Sequence, residues 1–211
     1  MSEKIEQIYE RLHAHFGPQL WWPGDTPFEI MVGAVLTQNT NWRNVEKAID
    51  NLKGADLLSL AAMAALPVPV LADYIRPSGY YNIKAGRLYN LLTRIIEEAG
   101  TLEEFFDTDI HALREKLLSV KGIGPETADS IILYAAEKPV FVIDAYTHRI
   151  LTRHAVIDED TDYHAMQELF MDRLPEEVDL FNEYHALIVR TGKQYCKKGK
   201  PLCSECPLAG I

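Results

Sequence analysis

Apolar residues recur at every third or fourth position along most of the chain, which is the spacing that gathers them on one face of an α-helix. The recurrences run over Ile5–Leu12, Trp42–Leu52, Ile83–Ile96 and Ile110–Leu117. The best strand candidate, Val140–Ile143, is short and has no partner segment, so we interpret it as an extended entry into a helix. The sequence therefore predicts an all-α fold with many short helices.

Three local signals predict where particular helices begin. Thr101, with Glu104 three residues later, forms the capping-box pattern in which side chains satisfy the first backbone donors. Pro125 and Pro175 stand where the first turn of a new helix would fall, a position at which proline loses no helical hydrogen bond.

Composition and charge limit the classes of protein to which the chain can belong. Of 211 residues, 47% are hydrophobic and 25% charged, and the formal net charge is −10 with a pI near 5.2. The acidic balance argues against nucleic-acid binding without excluding it, since backbone amides and local lysines can hold phosphate on an acidic protein. The most apolar stretch, Leu57–Ala72, is too short and too interrupted for a membrane span. No secretion signal and only three cysteines lead us to expect a cytoplasmic protein.

The segment Leu117–Leu133 carries the strongest chemical signal, because two glycines bracket one isoleucine between two predicted helices. Gly122 and Gly124 permit backbone angles closed to other residues, and Ile123 can fill the space between the helices. The turn would then present the first unpaired N–H groups of the following helix to an anion such as a DNA phosphate. A simple glycine-rich turn between packed helices is the alternative interpretation.

Four segments together resemble the helix-hairpin-helix DNA glycosylases of the endonuclease III superfamily. They are LTQNT at 36–40, KGIGPETAD at 121–129, VFVIDAYTHRIL at 140–151 and CKKGKPLCSEC at 196–206. Two further segments, WWPG at 21–24 and RPSGYYNIKA at 76–85, are most similar to the 3-methyladenine glycosylase branch.

The resemblance implies a two-lobed helix-hairpin-helix glycosylase fold with a C-terminal iron-sulfur-type cysteine loop. One lobe would be a helical barrel over residues 25–136, with the hairpin at about 111–136. The other would join residues 1–24 to residues 137–211 and carry the cysteine loop at 196–206. The active site is then expected in the cleft between the lobes, where Asp144 faces aromatic walls.

Asp144 follows the apolar run and precedes a helical pattern, so on local grounds it is an N-cap. The resemblance makes it the catalytic carboxylate. Breaking an N-glycosidic bond builds positive charge on the sugar, and an ionised carboxylate at a helix start can stabilise that charge and orient water. An alkylated purine already carries positive charge and leaves readily, so one carboxylate can suffice.

Glu126 stands where family members that also cut the DNA strand carry a lysine nucleophile. Glutamate cannot form the Schiff base of that reaction, which favours a monofunctional glycosylase. Lys121 and Lys193 are other amines, but neither matches the lyase position. Glu126 is either a first-turn acid favoured by the helix dipole or a pocket residue paired with Lys193.

The resemblance also implies a base pocket and a DNA-binding surface. Flat apolar walls suit a flipped purine, and electron-rich rings attract a cationic one, although tryptophans are also common in cores. The expected pocket residues are Trp21, Trp22, Pro23, Trp42, Glu126 and Lys193. The expected DNA-binding residues are Gln38, Gly122, Ile123, Gly124, Thr127, Lys197 and Lys198. Gln38 resembles the side chain that fills the gap left by the flipped base, and its alternative is an exposed helix end. A monovalent cation at the hairpin is also implied.

The cysteines Cys196, Cys203 and Cys206 follow a C-x6-C-x2-C pattern. Iron-sulfur clusters usually take four thiolates, and the family loop would place the fourth at position 212, past Ile211. We expect a [4Fe-4S] cluster with an open corner, and a metal-free loop is the alternative. The lysines between the cysteines suit a contact with the DNA backbone.

These features predict base-excision repair by a DNA N-glycosylase without lyase activity, acting on a damaged, alkylated purine. The alternatives are a bifunctional glycosylase and abasic lyase like endonuclease III, and a non-catalytic hairpin module that only binds DNA. The expected partner is double-stranded DNA containing a damaged base. We expect no membrane partner, a monomer, and a location with the bacterial or archaeal nucleoid.

Overall fold

The computed structural model describes residues 2–21 and 24–211, and within them it contains helices and no strand. The helices are α1 (Ser2–Phe16), α2 (Pro27–Leu36), α3 (Trp42–Gly54), α4 (Leu60–Ala64), α5 (Val68–Tyr74), α6 (Tyr81–Glu98), α7 (Leu102–Phe106), α8 (Ile110–Leu118), α9 (Pro125–Ser130), α10 (Ala145–Arg153), α11 (Tyr163–Met171) and α12 (Val178–Gln194). A 3-10 turn covers Arg76–Ser78, a π-helical turn, Ile131–Ala135, extends α9, and a second 3-10 turn covers Cys203–Glu205. The predicted all-α class is confirmed for this described part.

The chain divides into two compact units. The terminal unit comprises Met1–Trp21 and Pro139–Ile211, and the central unit comprises Trp22–Lys138. Trp22 and Pro23, two of the expected pocket residues, lie outside the described residues.

The central unit is organised around α2, whose residues are almost all buried. This helix begins at Pro27 after the N-cap Thr26, whose hydroxyl accepts from the amide of Glu29. It packs against α6 and the π-helical turn. Because both faces of α2 are covered, its sequence is apolar all round rather than amphipathic.

One cation lies inside the central unit and connects three of its segments. Lys84 of α6 is only 1% exposed, and its Nζ donates to Leu36 O at 2.8 Å and to Ser78 O at 2.7 Å. Burial, and secondarily repulsion by Arg87, lowers the pKa of Lys84 to about 8. An amine is needed at this position because the carbonyls of Leu36 and Ser78 would otherwise lose their donor.

The core of the terminal unit is aromatic. Phe141 stacks on Phe170 with ring centroids 3.8 Å apart, and Phe181 and Tyr184 meet the Phe141 ring edge-on. Tyr184 is fully buried and its hydroxyl donates to Ile5 O at 2.7 Å, which joins α12 to α1. The cluster therefore fixes the segment around Phe141, immediately before Asp144.

Val140–Ile143 is the extended entry into a helix that the sequence predicts, and it is fully buried. Side chains of α11 replace the missing strand partner. Gln167 Nε2 donates to Phe141 O at 2.7 Å, and the Ile143 amide donates to the Tyr163 hydroxyl at 3.4 Å. The segment can therefore be buried without a sheet.

Two of the three predicted helix starts are confirmed and one is wrong. Thr101 is the N-cap of α7 and accepts from the Glu104 amide at 3.2 Å, and Pro125 lies in the first turn of α9, as predicted. The expectation for Pro175 is wrong, because α12 begins only at Val178 after the N-cap Glu177. Within the described residues, no helix is both long and apolar enough to cross a membrane.

Replacing Lys84 with methionine should lower the free energy of unfolding by roughly 1–3 kcal/mol, the cost of leaving buried acceptors without a donor. The pKa of Lys84 is lowered in the folded protein, so folding favours its neutral form. Its contribution to stability is therefore fully present above the unfolded pKa and is lost as the pH falls through about 8. The stability difference between wild type and Lys84→Met should grow between pH 8 and about 10.4, the unperturbed lysine value. Urea unfolding of both proteins across this range measures it, and a difference independent of pH would contradict the assignment.

Candidate active site

Asp144 is the N-cap of α10, immediately after the buried extended run. Its Oδ1 accepts from the Thr147 amide at 2.7 Å and from the Thr147 hydroxyl at 2.9 Å. The side chain retains 12% exposure, so one edge of the carboxylate stays within reach of a reactant. Local capping, predicted as the simpler role of this residue, thus coexists with a position suited to chemistry.

His185 of α12 faces the other carboxylate oxygen, with its Nε2 3.6 Å from Asp144 Oδ2. Burial alone would raise the pKa of Asp144, but His185 and the two Thr147 donors outweigh it, and the pKa lies below its ordinary value of 3.8. Asp144 is therefore held as an anion in a nearly dry position. A carboxylate of this kind is already charged when positive charge develops nearby.

Tyr146 and Gly192 bring α10 close to α12 beside Asp144. A Cβ placed on Gly192 would lie 2.8 Å from Tyr146 Cγ, nearer than real Cβ contacts allow. The same ring lies under the Arg149 guanidinium, whose Cζ is 4.9 Å from the ring centroid. The glycine is thus required by the tyrosine, which in turn fills the space behind the capped helix start.

Two arginines of α10 hold the beginning of the cysteine loop. Arg149 Nε donates to Cys196 O at 2.7 Å. Arg153 donates to Cys196 Sγ at 3.2 Å and to the carbonyls of Lys197 and Lys198 at 2.9 and 3.1 Å. With their carbonyls turned inward, Lys197 and Lys198 are exposed, and Lys200 is exposed as well.

The three thiols differ in burial: Cys196 is buried, Cys203 exposed and Cys206 half-buried. Burial raises the pKa of Cys206; a Leu208 hydrogen bond opposes this, and Cys196 and Cys203 add to it. Thiols are the correct donor type for iron, yet no three His, Cys, Asp or Glu residues in the described part are arranged to hold a metal ion. The three thiols are therefore of the correct kind for a cluster, but they are not gathered around one point.

The hairpin of the central unit joins α8 to α9. Gly122 has φ +100, which only glycine adopts without strain, and Gly124 is the N-cap of α9 with no side-chain cap. Arg114 of α8 donates two hydrogen bonds, of 2.7 and 3.1 Å, to the fully buried carboxylate of Asp129. This ion pair joins α8 to α9. Ile123 and Thr127 are buried, so a DNA contact at these two positions would come from the backbone.

Gln38 follows α2 and is half-buried against this hairpin rather than an exposed helix end. Its Nε2 donates to Gly122 O at 3.1 Å and to Thr127 Oγ1 at 2.9 Å. Arg87 of α6 donates to its Oε1 in a short hydrogen bond. Three of the expected DNA-binding residues, Gln38, Gly122 and Thr127, therefore form one network in the central unit.

The remaining expected pocket residues are distributed over both units. Trp42 begins α3 and places its ring over Gly33 of α2, where a Cβ would lie 3.4 Å from the indole. Glu126 is exposed in the first turn of α9. In the terminal unit, Trp21 is half-buried and Lys193 is exposed in the last turn of α12.

The segment before Trp21 is fastened to α12. The Gln19 amide donates to both carboxylate oxygens of Glu183, at 2.8 and 3.0 Å, and Arg190 donates to Gln19 Oε1 at 2.9 Å. Trp21 is therefore held in place within the terminal unit.

Sequence reasoning did not identify His185, Arg87 or Gly192. Each acts on a residue more than forty positions away, so no local motif signals it. A weak signal for Gly192 was available, because a glycine inside a long helix usually has a packing reason.

An all-helical chain with a glycine hairpin, and with a buried aspartate capping the helix that follows, has the features of a helix-hairpin-helix glycosylase. The chain belongs to the HhH-GPD superfamily of base excision DNA repair proteins, whose pattern matches residues 32–176. It is 47% identical to a provisionally named DNA repair glycosylase of Methanocaldococcus jannaschii, over 98% of this chain and 94% of that protein. It is 31% identical to the endonuclease III of Thermotoga maritima, over 85% of this chain and 79% of that protein.

Solved structures agree with this family. The H. pylori 3-methyladenine DNA glycosylase bound to 1,N6-ethenoadenine is 33% identical, with a TM-score of 0.78 over 92% of this chain and 97% of that one. An endonuclease III trapped on DNA as a covalent intermediate has a TM-score of 0.84 over 99% of this chain and 93% of that one. At 21% identity, the second likeness shows the shared fold alone.

Replacing His185 with leucine should move the acid limb of the pH–excision profile to higher pH. The variant keeps bulk but removes the group that lowers the pKa of Asp144, while burial, which raises it, remains. His185→Gln retains a side chain that can donate a hydrogen bond to Asp144 and should shift the limb less. Single-turnover excision between pH 4 and 8 measures the shift, and identical acid limbs in all three proteins would contradict a role for His185.

Proposed function

We propose that this protein is a monofunctional DNA glycosylase that hydrolyses the N-glycosidic bond of an alkylated purine. The observation that carries the proposal is that Asp144 is buried with a lowered pKa, while a glutamate, Glu126, stands at the family's lyase position. The 33% identity to a 3-methyladenine glycosylase structure supports the choice of base.

Asp144 carries the chemistry in this proposal. As the base departs, the sugar gains positive charge, and the carboxylate stabilises that charge and orients the attacking water. Thr147 holds one oxygen through two donors, so the carboxylate keeps one orientation while the charge develops. A cationic alkylated purine needs little general-acid help, which is consistent with a single carboxylate.

The other expected residues bind rather than react. Trp42 in the central unit and Trp21 in the terminal unit are the aromatic residues proposed, each within its own unit, to attract a flat cationic base. The hairpin amides around Gly124 hold a phosphate, and the exposed lysines at 197 and 198 add backbone contacts that carry no sequence information.

Replacing Asp144 with asparagine tests the proposal. The variant keeps bulk and an acceptor for Thr147 but removes the charge, so base excision should fall by roughly two decades or more, as when one electrostatic stabiliser is lost. Binding to undamaged duplex should change little. Excision is measured on DNA containing an alkylated purine, with an alkaline step to reveal abasic sites.

The same assay separates this proposal from a bifunctional enzyme. The wild type should leave intact abasic strands, and borohydride should trap no protein–DNA adduct because Glu126 cannot form a Schiff base. Strand cleavage without alkali, or a trapped adduct, would favour the bifunctional alternative and direct attention to Lys121 or Lys193. Full excision by Asp144→Asn would remove Asp144 from the mechanism.

We also propose that the cysteine loop binds an iron-sulfur cluster with a structural role. The support is the cysteine spacing and the Arg153 hydrogen bond to Cys196 Sγ, since guanidinium donors stabilise thiolate ligands. No catalytic step depends on the cluster.

The measurement is iron content per chain after anaerobic purification, for the wild type and for Cys203→Ser. We expect iron in the wild type and its loss in the variant, with most helical circular dichroism retained. Equal iron in both proteins, or none in the wild type, would refute the proposed site.

A further inference from the structure

The amide of Gln38 is almost fully occupied before any DNA is present. Both of its donor positions are used, by Gly122 O and Thr127 Oγ1, and one lone pair of Oε1 accepts from Arg87. An amide has two donors and two acceptor sites, so only one lone pair of Oε1 remains open.

The chemistry of the partners fixes the orientation of this amide. Arg87 has only donors, and Gly122 O is only an acceptor. Rotating the amide by half a turn would place Nε2 against the guanidinium and Oε1 against a carbonyl, two repulsive contacts. Arg87 is therefore the group that determines which end of the amide faces the hairpin.

Arg87 is itself held in a restricted place. Its side chain passes over Gly122, where a Cβ would lie 2.9 Å from Arg87 Cδ. Lys84 lies one turn earlier on α6, and burial, with a smaller contribution from repulsion by Arg87, lowers its pKa. The Gln38 oxygen offsets this repulsion by accepting from Arg87 at the end of α2.

We propose that Arg87 is a positioning residue for Gln38: it orders the amide against the phosphate-binding hairpin before DNA binds. This inference rests on the proposed function and on the role that the family resemblance implies for Gln38, filling the gap left by the flipped base. A glutamine side chain ordered in advance loses less conformational entropy when it meets DNA. The open lone pair of Oε1 then presents an acceptor to an N–H group of the orphaned base.

A kinetic comparison tests the proposal in the full-length chain. Arg87→Met should slow single-turnover excision about tenfold, the size expected for one charge-assisted hydrogen bond. Affinity for undamaged duplex should change by less than about twofold, because phosphate contacts dominate that binding. Arg87→Lys, which keeps a charge and one donor, should recover part of the rate.

Arg94→Met is the matched control. Arg94 lies two turns further along α6, where it forms an ion pair with Glu98 and a hydrogen bond with Ser119. Its replacement therefore removes a similar cation without affecting a contact of Gln38. In the background of Gln38→Ala, Arg87→Met should cause no further loss of rate. A further loss of the same size in that background, or an equal loss of affinity for undamaged duplex, would show that Arg87 acts as a direct DNA contact and overturn the proposal.

A spectroscopic measurement tests the positioning role of Arg87 without an activity assay. The side-chain amide protons of Gln38, assigned by their absence in Gln38→Ala, should exchange slowly with water in the free wild type. They should exchange faster in Arg87→Met and Arg87→Lys, and remain slow in Arg94→Met. Unchanged exchange in both Arg87 variants overturns the positioning role even if either variant is unstable. Absence of excision by the wild type would instead refute the glycosylase proposal and leave this measurement valid.

Discussion

The terminal unit depends on keeping one carboxylate charged with almost no water around it. Desolvation of Asp144 opposes ionisation, and the surrounding structure supplies what outweighs it: two donors from Thr147 and the imidazole of His185. These groups come from different helices, so α10 and α12 must stay closely packed. The contact of Tyr146 with Gly192 maintains that packing, and the aromatic cluster around Phe141 fixes the chain that delivers Asp144.

In the central unit, two cationic side chains supply the hydrogen-bond donors that oxygens at a helix end need. Lys84 and Arg87 both lie on α6 and both donate at the end of α2, where the carbonyl of Leu36 and the amide oxygen of Gln38 need donors. A helix end that is buried must find partners for its last carbonyls. Lys84 supplies one for Leu36, and Arg87 supplies the next for the side chain of Gln38. The segment after α2 is thereby joined to the hairpin by polar contacts of the Gln38 side chain.

Local sequence patterns were sufficient for the elements but not for the partners. Helix starts such as Thr101 and Pro125 were predictable because a cap acts within four residues of itself. The extended run at Val140–Ile143 was also predictable, although the reason it can exist without a sheet, the side chains of α11, was not. Pro175 misled because a proline suits the loop before a helix as well as its first turn.

In the candidate site, too, residues within local motifs could be predicted and residues that act through distant contacts could not. Asp144 and the hairpin glycines are parts of contiguous motifs and could be named from the sequence. His185 and Arg87 are single residues in ordinary helical stretches, and Lys84, although it lies in the segment at 76–85, gives no local sign of its contact with Leu36. Their chemistry is visible only once burial is known, since an exposed lysine or histidine at the same place would need no partner.

The net charge of −10 affects how a protein of this DNA repair family can bind DNA. Overall repulsion weakens non-specific binding, which for most proteins comes from many lysine and arginine contacts with phosphates. The proposed phosphate contacts are few: the uncharged hairpin amides, and the exposed lysines whose carbonyls accept from Arg153. Binding through so few contacts would have a shallow salt dependence and would favour release from intact DNA. In the proposed function this balance suits a protein that meets many undamaged bases for each damaged one, because the lowered pKa of Asp144 keeps its carboxylate charged before DNA binds.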